Sequence, residues 1–158
     1  MDAQSEKLLA GLLRSTRIAG LATLRDEEPQ LYMVPFIVVE DFSAFYIHAS
    51  RLAQHSVEMQ KNKRSVSLLI TENDDGRADP QTLVRVFIRG TAASLQYGEP
   101  GFTPIRDLYL TRFPEAEPQF KRDDFSFWRI KPKGGRFVAG TAKSYNITLD
   151  TLQKVSQR

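Results

Sequence analysis

Cysteine is absent from the 158 residues, tryptophan occurs once and histidine only twice. The missing thiol excludes disulfides, thiolate zinc sites, iron–sulfur clusters and a cysteine nucleophile, and it fits a reducing compartment. His48 and His55 form no HExxH pair, and the P-loop, GxGxxG and GxSxG signatures are missing as well. Long apolar runs are also lacking. The longest, Met33 to Val39, is far short of the roughly 20 residues a membrane helix needs. Met1 to Lys7 is polar and acidic, unlike a signal peptide. The expectation is a soluble, cytoplasmic chain without a membrane or nucleic-acid partner. A large charge of one sign is missing too. The 22 basic and 19 acidic residues leave +3, too little to argue for nucleic acid and suited to an anionic small molecule.

The length fits one domain, residues 1–158, and 41% hydrophobic with 26% charged residues is a globular composition. Leu8, Leu9, Leu12 and Leu13 recur at helical spacing, which predicts a helix over about 5–15 with Ser5 as N-cap. Ile18 to Leu24, Gln30 to Val39 and Ala44 to Ala49 read as strands with short connections, hence antiparallel. Pro35 argues for an edge, bulge or bend. Leu52 to Lys61 reads as a short helix, Ser65 to Thr71 as a strand, and Leu83 to Gln96 as a long strand bent at Gly90. Thr103-Pro104 reads as the cap and first residue of a helix ending at Phe113. Glu115 to Asp124 is ambiguous. Phe125 to Lys131 and Arg136 to Val138 read as strands joined by a turn at Pro132-Lys133-Gly134-Gly135. Tyr145 to Thr148 adds a short strand, and 149–157 a terminal helix. Six or seven antiparallel strands with short helices make a mainly β chain, a barrel or sandwich.

Asp74, Asp75 and Asp79 share one loop. Their spacing fits no EF-hand, and a solvated acidic loop accounts for them without metal. No side chain stands out as a catalytic acid or base.

The order of the segments is more informative than any motif. Leu21-Ala22-Thr23-Leu24 is followed by Met33-Val34-Pro35-Phe36, then Ser50-Arg51-Leu52-Ala53-Gln54-His55, Val66-Ser67-Leu68-Leu69-Ile70 and Arg85-Val86-Phe87-Ile88-Arg89-Gly90. The end carries Phe127-Trp128-Arg129-Ile130-Lys131-Pro132, Gly135-Arg136-Phe137-Val138-Ala139-Gly140 and Ala142-Lys143-Ser144-Tyr145. In this order the chain, from about Arg17 to Leu152, resembles the FMN-binding split-barrel superfamily of pyridoxamine-phosphate-oxidase-like proteins. The Phe-x-Val-x-Gly and Ala-x-x-Tyr pieces favour its heme-utilisation branch. The resemblance implies an antiparallel split barrel, a homodimer with the flavin at the interface, and a small-molecule substrate.

The resemblance also implies site residues. Ala49 and Ser50 match positions at the FMN phosphate or ribityl chain. His55 matches the second residue of a basic pair, and Gln54 stands where arginine is usual, with Arg51 one turn earlier as a substitute. Tyr32, Met33, Val34 and Pro35 match the segment lining the isoalloxazine. Leu31 and Phe36 replace the basic residues of the oxidases, so oxidation of pyridoxamine phosphate itself is not expected. Arg85 matches a position reaching the flavin across the dimer, and Trp128 an aromatic near the ring. Arg136 lies near the oxidases' substrate-phosphate site.

Each has a plainer reading beside it. His55 can be a helix-surface histidine, His48 a structural one, and Trp128 a core residue. Arg85 and Arg89, four apart in a strand of period two, share a face that water or a partner could cover. The expected function is an FMN-binding oxidoreductase of unknown substrate. The alternatives are a heme-binding or heme-degrading protein, or a non-catalytic dimer whose flavin site has decayed. The heme-utilisation proteins take iron on a histidine near the C-terminus. No histidine follows His55 here, which leaves His48, His55, a tyrosine or the partner chain as the expected ligand.

Overall fold

The computed structural model describes all 158 residues. In chain order they form α1 (Ala3–Ser15), β1 (Ile18–Arg25), β2 (Glu28–Pro35), β3 (Ile37–Val38), β4 (Phe45–Ser50), α2 (Gln54–Lys61), β5 (Val66–Thr71), β6 (Arg85–Leu95), α3 (Phe102–Arg112), β7 (Phe125–Val138), β8 (Ser144–Ile147) and α4 (Leu149–Val155). Two 3-10 segments, Pro80–Thr82 and Pro114–Lys121, lie between them. All eight strands join one sheet in the order β2-β1-β5-β6-β7-β4-β3, with β8 also on β7. Every pairing is antiparallel. The sheet curls around its inner face as a split barrel.

Alternation fixes that inner face. Ala19 and Leu21 of β1, Leu68 and Ile70 of β5, Val86 and Ile88 of β6 and Ile130 and Phe137 of β7 are buried in one core. Leu9 and Leu13 of α1 join them, as do Leu152 and Val155 of α4. Burial of these side chains is the main stabilising term, about 1.5–3 kcal/mol for each large one. The two terminal helices are tied by charge: Glu6 of α1, 3% exposed, meets Lys154 Nζ at 3.0 Å and Arg158 Nε at 2.7 Å.

Pro35 closes β2, the edge strand, where no neighbour needs its missing N–H. The bend at Gly90 is a β-bulge. Arg89 faces Gly134 and Gly90 faces Pro132, so Lys133 is the extra residue. A Cβ on Gly90 would lie 2.5 Å from Ile130 Cγ2.

Three local expectations are corrected. Pro132 to Gly135 is not a turn. β7 runs through it unbroken, because β4 pairs only as far as Ile130 and leaves the proline without a donor to supply. Beyond it Gly135 presses so close to β6 that a Cβ would sit 2.0 Å from the Phe87 carbonyl oxygen. The N-cap of α1 is Asp2, whose Oδ1 accepts from Ser5 N at 2.8 Å, while the Ser5 hydroxyl turns to Tyr145. The N-cap of α3 is Gly101 at φ 89°. Thr103 and Pro104 stand inside its first turn, where helix N–H groups are free in any case.

Candidate functional site

On β2, Leu31, Met33 and Pro35 point outward while Tyr32 and Val34 point in. Register carries the outward set across the sheet. Met33 faces Gly20, Gly20 faces Leu69, Leu69 faces Phe87, and Phe87 faces Arg136. A parallel row runs Leu31, Ala22, Ser67, Arg89. The outer face is therefore apolar in the middle, with Leu31 75%, Met33 69%, Leu69 45% and Phe87 40% exposed. Arg85, Arg89 and Arg136 border it on β6 and β7. Gly20, lacking a side chain, floors a trough of about 500 Å³ between Leu31, Met33 and Leu69, with Glu72, Asn73 and Asp74 at one end. Arg85 is tethered, its Nη1 donating to the carbonyls of Gln81 at 2.8 Å and Leu83 at 2.9 Å.

Tyr32 points inward to a carboxylate that the sequence reading did not single out. Glu58 of α2 is 2% exposed. It accepts from Thr23 Oγ1 at 2.5 Å, Arg25 Nε at 2.9 Å and the Tyr32 hydroxyl at 3.0 Å. Burial by itself would raise the Glu58 carboxyl, but these three donors outweigh it and hold its pKa below the ordinary value. The Tyr32 phenol is pushed up by burial and by the facing carboxylate. His55 packs against Tyr32 with ring centroids 5.2 Å apart, and burial lowers its pKa against the pull of Glu58. The signal for this cluster was polarity at inward positions: Thr23 and Arg25 continue the column of Ala19 and Leu21.

The stretch expected to hold a phosphate is differently used. The Ser50 hydroxyl donates to Asp124 Oδ2 at 2.6 Å and accepts from Leu52 N at 3.1 Å. The Arg51 amide donates to the Asp124 carbonyl at 2.6 Å. Arg122 and then Ser50 hold the Asp124 carboxyl below its usual pKa, so a carboxylate occupies the ground proposed for an anion. Ala49 is buried, and Gln54, the first residue of α2, is exposed.

The remaining expected residues fall elsewhere. Val34 is core, and Arg51 and Trp128 line a separate cavity of about 320 Å³ on the far side of α2. Trp128, 3% exposed, donates from Nε1 to Ser56 Oγ at 3.1 Å. His48 is enclosed by rings. It stacks on Phe120 at 4.0 Å and meets Phe127, Phe125 and Tyr109 within 5.6 Å. Burial pushes its pKa down to about 4, against a weak contact with Gln119. No group of three or more His, Cys, Asp or Glu side chains is placed to hold a metal ion.

No family model matches the chain. Over 119 residues, 74% of the chain, it is 34% identical to the non-canonical heme oxygenase HOZ, chloroplastic, of Arabidopsis thaliana, and spans about a third (34%) of that protein's length. The heme binding protein from Mycobacterium smegmatis superposes with a TM-score of 0.83 at 21% identity, over 98% of this chain and 62% of that one. A protein of the pyridoxinephosphate oxidase family from Clostridium acetobutylicum does so with a TM-score of 0.71 at 14% identity, over 96% and 99%. The fold is that of the split-barrel superfamily of pyridoxamine-phosphate-oxidase-like proteins. Within that superfamily, the chain matches the heme-utilisation branch.

Proposed function

We propose that this chain is a heme-binding protein of the heme-degrading type, working as a homodimer through the outer face of β2, β1, β5 and β6. The trough carries the reading. Its floor is apolar, its own charged residues are Glu72 and Asp74 at one end, and Arg85, Arg89 and Arg136 lie beyond it on β6 and β7 of the same face. A planar apolar macrocycle with carboxylate edges matches that pattern, since apolar walls give area and guanidinium forks take carboxylates. Arg89 and Arg136 are the cations placed for the carboxylates. Neither histidine lines the trough: His48 is walled in by rings and His55 sits with Tyr32 on the inward side of β2, so the iron ligand at the outer face is left to the partner chain. Bound heme iron supplies oxygen binding and activation. The chain's part is to exclude water, orient the ring and, through Glu58, hold Tyr32 in place.

FMN fits less well. The Ser50 hydroxyl is spent on Asp124, and Gln54 brings no charge. The residues present do not make a phosphate cradle there.

Titration with hemin tests the proposal. A saturable Soret band is expected, together with a solution mass twice 18.0 kDa. A flat titration sinks the heme reading. A flavin spectrum in the purified protein, or saturable uptake of FMN alone, would replace it with the flavoprotein reading.

A further inference from the structure

We propose that the cavity between α2 and the β6–β7 ladder is a binding site for a small phosphomonoester, separate from the outer trough. Helix α2 lies over the inner face of β6 and β7, a place where apolar side chains normally meet. Here most of the facing residues are polar. Ser94, Gln96, Ser126 and Trp128 project from the strands, and Ser56, Val57, Gln60 and Lys61 from the helix, with Arg51 at the mouth. The space is about 320 Å³, and only two of its nine lining residues are hydrophobic.

A buried hydroxyl shows that something is wanted there. Ser126 is fully buried (0% exposed) and its Oγ has no hydrogen-bond partner, an arrangement that native interiors avoid unless a ligand or water completes it. Ser56, 1% exposed, accepts from Trp128 Nε1 and leaves its own O–H free to donate. Arg51 and Lys61 form no ion pair within the chain and stand exposed at the same opening. Two unspent cations above free hydroxyl donors are the elements of an anion site with a polar interior. A phosphate at the rim with a hydroxylated body inside matches both parts. The tethering of Ser50 to Asp124 does not interfere, because that pair does not line the cavity.

Trp128 is the sole tryptophan, so indole emission reads this wall directly. Glycerol phosphate, which is transparent at the exciting wavelength, is the probe; glycerol and sodium chloride at matched ionic strength are the controls. The full chain free of hemin should show a saturable emission change with glycerol phosphate and none with either control. Removing both cations in an Arg51→Ala/Lys61→Ala double variant should weaken binding by at least about tenfold, given charge-assisted hydrogen bonds. Both side chains are exposed, so folding is not at stake. Ser126→Ala loses no existing bond. It should fold as well as the parent and bind about threefold more weakly. Lys63→Ala, outside the cavity, should bind as the parent does. No saturable change, an equal change with glycerol, or an undiminished response in the double variant would each overturn the assignment. The hemin spectrum should be the same in the double variant, which keeps this test apart from that of the trough.

Discussion

At the β7–β4 end of the sheet the outer face is roofed by the chain itself, while at the β2–β1–β5–β6 end it is bare. Tyr46 and Phe127 lie beneath Phe102 and Tyr109 of α3, with Ala116 and Phe120 of the 3-10 segment closing the cluster. Leu31, Met33, Leu69 and Phe87 have no such cover. The two ends share strands, pleat and core, so the difference lies in where α3 and Pro114–Lys121 are inserted. One end is finished within the chain. The other presents contiguous apolar surface of the kind that marks an interaction site, bordered by Arg85, Arg89 and Arg136. This contrast underlies the proposal that partner and ligand belong on the bare end.

The largest expected effect is on the roofed end. Phe127 is fully buried and touches the rings of Tyr46, His48, Phe102, Tyr109 and Phe120. Phe127→Ala should cost about 4 kcal/mol, since a Phe-sized void in a core is only partly refilled. Urea unfolding measures it, and a loss under about 1 kcal/mol would mean the roof is not part of the cooperative fold.

His48 gives the roofed end a pH signature. Its folded pKa lies near 4, below the ordinary 6.5. Between those values the unfolded chain binds more protons, so stability is full above pH 6.5 and falls as pH drops toward 4. The total loss is about 3 kcal/mol. His48→Phe keeps a ring against Phe120 and should flatten that slope in unfolding midpoints taken from pH 7 to 4. An unchanged slope would assign the titration to other groups.

The bare end holds the turn with most to gain. Asp26 and Glu27 connect β1 to β2 with φ of 49° and 66°, the left-handed pair of a two-residue hairpin that favours Asn-Gly. Glu27→Gly should raise stability by about 1 kcal/mol by removing the Cβ penalty. Thermal melts that show no gain would mean the hairpin is not under backbone strain.

These elements also show what sequence alone conveys. A break or edge at Pro35 and the bend at Gly90 were legible, because each follows from one residue's own covalent limits; the order of the strands in the sheet was not. The unbroken β7 was not. Pro-Lys-Gly-Gly has turn chemistry, and only the early end of β4 and the tight approach of Gly135 to Phe87 make it a strand. At the candidate site, Tyr32 and His55 do come together, but Arg51 and Trp128 stand on the other side of α2. Spacing along a helix cannot say which neighbour each face will meet. Glu58 escaped notice because one acid in a short polar helix resembles a solvated one. The buried donors that hold it come from β1 and β2, more than 20 residues away along the chain.

The smallest effect on folding is the sharpest test of the contrast. Leu69 sits in the middle of the bare row, between Gly20 and Phe87. In an isolated chain its outward side chain is half in water already, so Leu69→Asp should change stability by no more than about 0.5 kcal/mol, measured at a concentration where both proteins are monomeric. In association the same change places a carboxylate opposite an apolar surface, where it has no partner and cannot be solvated. Light scattering should therefore find the variant at 18.0 kDa under conditions where the parent has twice that mass. If the variant is as dimeric as the parent, the bare face is not the interface. If it unfolds, the row contributes to the chain's own core, and the distinction between the two ends of the sheet fails.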